Sequence, residues 1–127
     1  MCGIVAYIGN KDPKPIILDG LERMEYRGYD SAGILLCNNS ESQLTKISGK
    51  VNSLSKILEN KQQISTHLGI GHTRWATHGI PDEKNAHPHI SNSGKLHIVH
   101  NGIIENFDTI KKELSYRGYS FYSDTDS

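Results

Sequence analysis

Along the chain, apolar residues gather into short runs or recur at helical spacing, and turn residues separate these segments. Ile4 to Ile8 is a compact apolar run closed by Gly9-Asn10, which predicts a buried strand. Pro13 and Pro15 then mark a turn and a helix start. Ile17, Leu21 and Met24 repeat at helical spacing, so a helix is expected from about Pro15 to Glu25. Gly33 to Cys37 reads as a second strand, Asn38-Asn39-Ser40 as a polar turn, and Leu44 to Ile47 as the returning arm of a hairpin. Val51, Leu54 and Leu58 predict a second helix ending near Asn60, and Leu68 to His72 a further strand with Ile70 at its core. Leu96 to Val99 predicts another short strand. A third helix, capped by Asn106, carries Phe107, Ile110 and Leu114 on one face and is stopped by Gly118. Tyr119 to Tyr122 is expected to be a last strand. The resulting order is strand, helix, two strands, helix, two strands, helix, strand, a layered α+β domain.

Between these elements, Trp75 to Gly94 has no period and is rich in His, Pro, Asn and Ser. A loop that long in a compact domain points to function. Length allows a single domain over 1–127. Fourteen basic and fourteen acidic residues balance, leaving no electrostatic footprint for nucleic acid or an anionic membrane. No apolar run approaches the ~20 residues that span a bilayer. Ile4 to Ile8 is too short, and lacks the preceding basic residues, to be a signal peptide. A soluble cytoplasmic protein is the expectation.

The two cysteines, Cys2 and Cys37, are poor evidence for a disulfide. Cys37 ends an apolar run and is expected to be a small buried hydrophobe. Cys2 follows only Met1. If Met1 is removed, the α-amino group of Cys2, with an unperturbed pKa of ~7.7–8.0, lies beside the thiol and can serve as its base. Taken alone, a cysteine in second place is more simply read as an accident of sequence. Seven histidines, five of them between His72 and His97, raise a metal-binding alternative. Structural zinc sites use tighter, repeated Cys or His pairs, and neither cysteine is placed to complete one, so no metal and no cofactor is expected.

Four segments change the weight of Cys2: Met1-Cys2-Gly3-Ile4-Val5, Glu25 through Gly33 (EYRGYDSAG), His72 through Gly79 (HTRWATHG) with Asn85-Ala86-His87-Pro88-His89, and His100 through Asn106 (HNGIIEN). In this order and spacing they resemble the class II glutamine amidotransferases, which use a mature N-terminal cysteine, and the resemblance covers essentially the whole chain. The pair YRGYD and RWATHG is most similar to the glutamine–fructose-6-phosphate aminotransferase branch, with the amidophosphoribosyltransferase branch as the alternative. The resemblance implies the four-layer α-β-β-α sandwich of N-terminal nucleophile hydrolases, incomplete here because such domains are about twice this long. It implies Cys2 as nucleophile and Asn101 with Gly102 as the oxyanion hole, although an Asn-Gly pair alone is a common turn. Arg74 would clamp the carboxylate of L-glutamine and Asp126 its ammonium, with Trp75, Thr77 and His78 lining the pocket; surface salt bridges are the alternative for the two charges. Arg27 and Tyr29 would lie on a covering loop, or simply on a turn at Gly28, and His87 would support the site. The implied whole protein is a homo-oligomer that passes ammonia to fructose 6-phosphate through an isomerase domain lying outside these residues, making glucosamine 6-phosphate. The 127 residues alone are expected to be inactive, a silent fragment.

Overall fold

The computed structural model describes residues 1–75 and 80–127. Strand β1 (Gly3–Ile8) leads into helix α1 (Pro13–Met24), a 3-10 turn (Glu25–Arg27), strands β2 (Ser31–Cys37) and β3 (Ser42–Ser48), and helix α2 (Val51–Glu59). Strand β4 (Leu68–Arg74), a second 3-10 turn (Glu83–Asn85), the two-residue strands β5 (His89–Ile90) and β6 (His97–Ile98), and helix α3 (Phe107–Tyr116) complete the order. Four strands form an antiparallel sheet in the order β1-β4-β2-β3, and β5 pairs with β6 in a second, two-stranded sheet. The α+β expectation holds.

The helix periods predict which residues are buried. Ile17 and Leu21 of α1 and Val51, Leu54 and Leu58 of α2 pack with Ala32, Ile34, Leu36 and Ile47 into one core on one face of the large sheet. Asp12 accepts a hydrogen bond from the Lys14 backbone N–H at 3.0 Å, so α1 starts at Pro13, two residues before the expected Pro15. Lys50, at the head of α2, offers no capping side chain; the Glu25 carboxylate accepts the Val51 N–H at 2.7 Å instead. That bond ties the turn after α1 to the start of α2.

Several boundaries differ from the sequence expectation. Asn106 stands at the head of α3 without a side-chain cap bond, and none of the residues of α3 is fully buried. Leu96 to Val99 is reduced to the two residues of β6. Tyr119 to Tyr122 is not a strand: no strand pairs with it among the described residues, and Asn92 brackets Ser120 with two side-chain bonds of 2.7 and 2.8 Å. Cys37 is half-buried rather than buried, and both cysteines are free thiols.

The other face of the large sheet is covered only at one end. Gly33 of β2 has no Cβ, and one built there would sit 2.0 Å from the His87 carbonyl oxygen. This close approach lets the His87 segment lie flat on the sheet beside His72, the residue that pairs with Gly33. On the edge strand Ile4, opposite His72, is still 40% exposed, and at the far end Ile8 is 80% exposed and Leu68, opposite it, is also exposed. Among the described residues no helix is long and apolar enough to cross a membrane. Urea denaturation of the chain should separate the two faces. Leu54→Ala in the covered core is expected to cost ~2–5 kcal/mol, and Ile8→Thr on the open face to stay within ~0.5 kcal/mol. Equal losses would mean that the outer face of β1 is buried in solution.

Candidate active site

Antiparallel pairing sets Gly3 opposite Thr73, which brings Cys2 to the Arg74–Trp75 end of β4. There the Trp75 backbone N–H donates to Cys2 Sγ at 3.2 Å, and Sγ lies 3.6 Å from the Trp75 carbonyl oxygen. Asn101, almost a hundred residues away in sequence, donates from Nδ2 to the Cys2 carbonyl at 3.2 Å. Gly102 follows it at φ +146°, a conformation that side chains other than glycine's rarely adopt. Cys2, Arg74, Trp75, Asn101, Gly102 and Asp126 line one cleft of about 530 Å³.

Each wall of this cleft is held by identifiable contacts. Arg74 is 4% exposed. Its Nη1 lies 3.7 Å from the Asp30 carboxylate and donates to the Ile80 carbonyl at 3.3 Å. Asp30 in turn donates its backbone N–H to the Arg74 carbonyl at 2.7 Å and accepts the Ser31 hydroxyl at 2.8 Å. Asp126 accepts the Ile104 backbone N–H at 2.6 Å, so its carboxylate faces the segment that follows Asn101. Residues 123–127 are pinned further by buried Asn85, which accepts the Asp124 N–H at 2.8 Å, and by a 3.0 Å contact between Ser127 Oγ and His100 Nδ1.

Met1 folds over the cleft: its ammonium donates to the Arg27 carbonyl at 2.8 Å, and the Arg27 guanidinium contacts the Met1 sulfur. With Met1 in place the nitrogen of Cys2 is an amide and has no basic lone pair. Arg27 therefore reaches the cleft, whereas Tyr29 does not line it and lies under the Lys50 ammonium, 5.3 Å from the ring centroid. Thr77 and His78 lie outside the described residues.

Behind Asn101, three histidine rings pack together, His72 stacked on His87 and His89 tilted by 52° to His87. The rings of His72 and His87 are 4.3 Å apart and nearly parallel, and His89 is 4.3 Å beyond His87. His72 Nε2 contacts Asn101 Oδ1 at 2.7 Å, and His87 Nδ1 accepts the His100 N–H at 3.3 Å. Burial pushes His72 down to about 4, opposed by its Asn101 hydrogen bond and reinforced by the Arg74 charge. Burial also pushes His89 to about 4 and His87 to about 2, each helped by neighbouring cationic groups. Among the described residues no group of three His, Cys, Asp or Glu could hold a metal ion. His72, Asp30 and Asn85 carried no site assignment from sequence, because their roles come from partners that only the fold brings close.

The family profile described as "Glutamine amidotransferase domain" matches residues 58–127, more than half of the chain. The chain belongs to the glutamine amidotransferase domain family. Over all 127 residues this amidotransferase chain is 54% identical to the glutamine–fructose-6-phosphate aminotransferases (isomerizing) of Caldanaerobacter subterraneus and Pyrococcus horikoshii. It spans 21% of each of those proteins, about a fifth of their length. Among solved structures it superposes on the glutamine phosphoribosylpyrophosphate amidotransferase of B. subtilis with a TM-score of 0.75 and 27% identity, covering 97% of this chain and 27% of that one. An allosteric regulatory enzyme of purine biosynthesis gives the same TM-score at 24% identity, covering 93% and 26%, which speaks to the fold alone. The α+β fold of this amidotransferase chain is thus that of the N-terminal nucleophile amidotransferases.

The histidine stack gives the domain a pH dependence. Folded-state values below the ordinary 6.5 mean that the stabilisation is complete above pH ~6.5 and is lost as pH falls toward ~4. Each fully buried ring contributes up to ~1.4 kcal/mol per pH unit in that window, less than additively because the rings repel each other's charge. The urea midpoint should fall steadily between pH 6.5 and 4.5, and His87→Phe should flatten that fall. A midpoint independent of pH over this range would contradict the neutral stack.

Proposed function

We propose that this chain supplies the nucleophile and the substrate-facing wall of the glutaminase site of a glutamine–fructose-6-phosphate aminotransferase. The observation that carries the reading is the convergence of Cys2 Sγ, the Asn101 amide, Gly102, Arg74 and Asp126 on one cleft from four separate segments. Fifty-four per cent identity to that branch, against 27% to the phosphoribosylpyrophosphate enzyme, favours it over the purine branch.

In this mechanism the Cys2 thiolate attacks the side-chain amide carbon of glutamine. Negative charge collects on the former carbonyl oxygen, where Asn101 Nδ2 and the Gly102 N–H are the donors. The tetrahedral intermediate collapses, the leaving nitrogen takes a proton and departs as ammonia, and a thioester remains on Cys2. Water then releases glutamate and regenerates the thiol. The base is the α-amine of Cys2, which exists only after Met1 has gone. Arg74 and Asp126 would hold the glutamine carboxylate and ammonium, with Asp30 already orienting Arg74. Trp75, 51% exposed, and the Arg27 loop would cover the substrate, with Thr77 and His78 completing the pocket. Ammonia would pass to fructose 6-phosphate on an isomerase domain of a homo-oligomeric cytoplasmic protein. The 127 residues alone would release no ammonia, since the face of the sheet away from the helices is open at the Ile8 end.

A hybrid in which residues 1–127 replace the aligned segment of the Caldanaerobacter relative tests the assignment. Glutamate release should require removal of Met1, verified by mass spectrometry, and Cys2→Ala should abolish it while leaving the hybrid folded. Undiminished turnover with Met1 retained, or after Cys2→Ala, would refute the N-terminal cysteine mechanism.

A further inference from the structure

The Asn101 side chain sits between two partners that want opposite things from it. On one side is the Cys2 carbonyl oxygen, 3.2 Å from Nδ2; on the other is His72 Nε2, 2.7 Å from Oδ1. Turning the amide over would set its oxygen against the Cys2 carbonyl, two acceptors face to face. The Cys2 side therefore selects the nitrogen, and Oδ1 must face His72 as an acceptor. It follows that His72 Nε2 carries the ring proton, in a neutral imidazole.

Mobility differs sharply between the two residues. Asn101 is exposed in the cleft, outside any helix or strand, where an amide is ordinarily free to rotate. His72 is 1% exposed, fixed in β4 and stacked flat on His87. A short bond to an immobile ring transfers that rigidity to the amide. One Nδ2 hydrogen is engaged by the Cys2 carbonyl, and the second is directed by the same constraint.

We propose that His72 is a positioning residue for the glutaminase reaction, holding the Asn101 amide so that its nitrogen faces the oxygen of the side-chain amide attacked by Cys2. The proposal rests on the reading of Asn101 as an oxyanion donor. His72 touches no reacting atom. Its contribution belongs to the transition state, so its loss lowers kcat and leaves glutamine binding nearly unchanged.

Two substitutions in the hybrid described above divide the bond from the stack. His72→Phe keeps an aromatic ring against His87 and removes the donor; His72→Gln keeps an N–H donor and removes the ring. Positioning predicts a ~10- to 100-fold lower kcat for glutamate release in His72→Phe, a KM for glutamine within ~3-fold, and near-normal kcat in His72→Gln. Asn101→Ala should lose ~10²–10³ in kcat, and adding His72→Phe to it should cost nothing more. A slow Asn101→Ala beside a normal His72→Phe, an equally slow His72→Gln, or additive losses in the double variant would overturn the role of His72 alone. An unaffected Asn101→Ala would instead remove the oxyanion assignment, and the proposal with it. Nitrogen NMR of the unsubstituted chain gives a check that no substitution can confound: the Nε2–H tautomer of His72 is expected, and the Nδ1–H tautomer would overturn the proposal.

Discussion

The antiparallel register of β1 on β4 is the constraint on which the site depends. With Gly3 opposite Thr73, the residue before β1 falls level with Arg74, and the thiol of Cys2 meets the Trp75 amide. Strand side chains alternate with a period of two, so a slip of one residue would exchange the two faces of β1. Val5 and Tyr7 would leave the helix core, and Cys2 would lose Trp75 and Asn101 together. The same register opposes Ile4 to His72, which fixes the floor beneath the Asn101 amide. Placement of the nucleophile and burial of the core are therefore one energetic event. The hydrophobic gain from Ile17, Leu21 and their neighbours is what holds Cys2 in place.

Much of this was legible in the sequence, for a physical reason. Helices α1 and α2 each bury one face, which imposes a visible period, and β2 is buried on both faces, which shows as a continuous apolar run. Ile17 with Leu21, and Val51 with Leu54 and Leu58, are buried as their spacing predicts. The failures lie where no buried face exists. Tyr119 to Tyr122 has the aromatic content of a strand, but strand formation needs a partner strand, and Ser120 instead bonds the Asn92 side chain. Asn106 has the chemistry of a cap, while the local backbone gives its side chain nothing to accept from. In the site, Cys2, Arg74, Asn101 and Asp126 were marked by motif, and the structure brings all four to one cleft. Asp30, His72 and Asn85 were not marked, because an ion pair, a ring stack and a bracketing amide depend on residues brought close only by the fold.

The site is built asymmetrically. Its polar groups are tied down closely: Arg74 by Asp30, Asn101 by His72 and Cys2, Asp126 by the Ile104 amide. Its surroundings are not sealed, since Ile4, Ile8 and Leu68 on the sheet and Ile98 on the small sheet expose apolar surface. Surfaces of that kind are normally covered by more protein. In the proposed reading the longer amidotransferase lays further strands over them, consistent with a chain that spans about a fifth of its curated relatives. Such cover would exclude water from the reaction and strengthen the charge interactions already in place.

Covalent trapping tests the central claim, that Cys2 is the nucleophile of a glutamine-selective cleft, most directly. The hybrid, with Met1 removed, would be treated with a glutamine analogue bearing a chloromethyl ketone in place of the side-chain amide, and the adduct located by mass spectrometry. The account predicts one adduct per chain on Cys2, slowed by added glutamine, with Cys37 untouched. Modification of Cys37 at a similar rate, or labelling of Cys2 that glutamine does not slow, would contradict it.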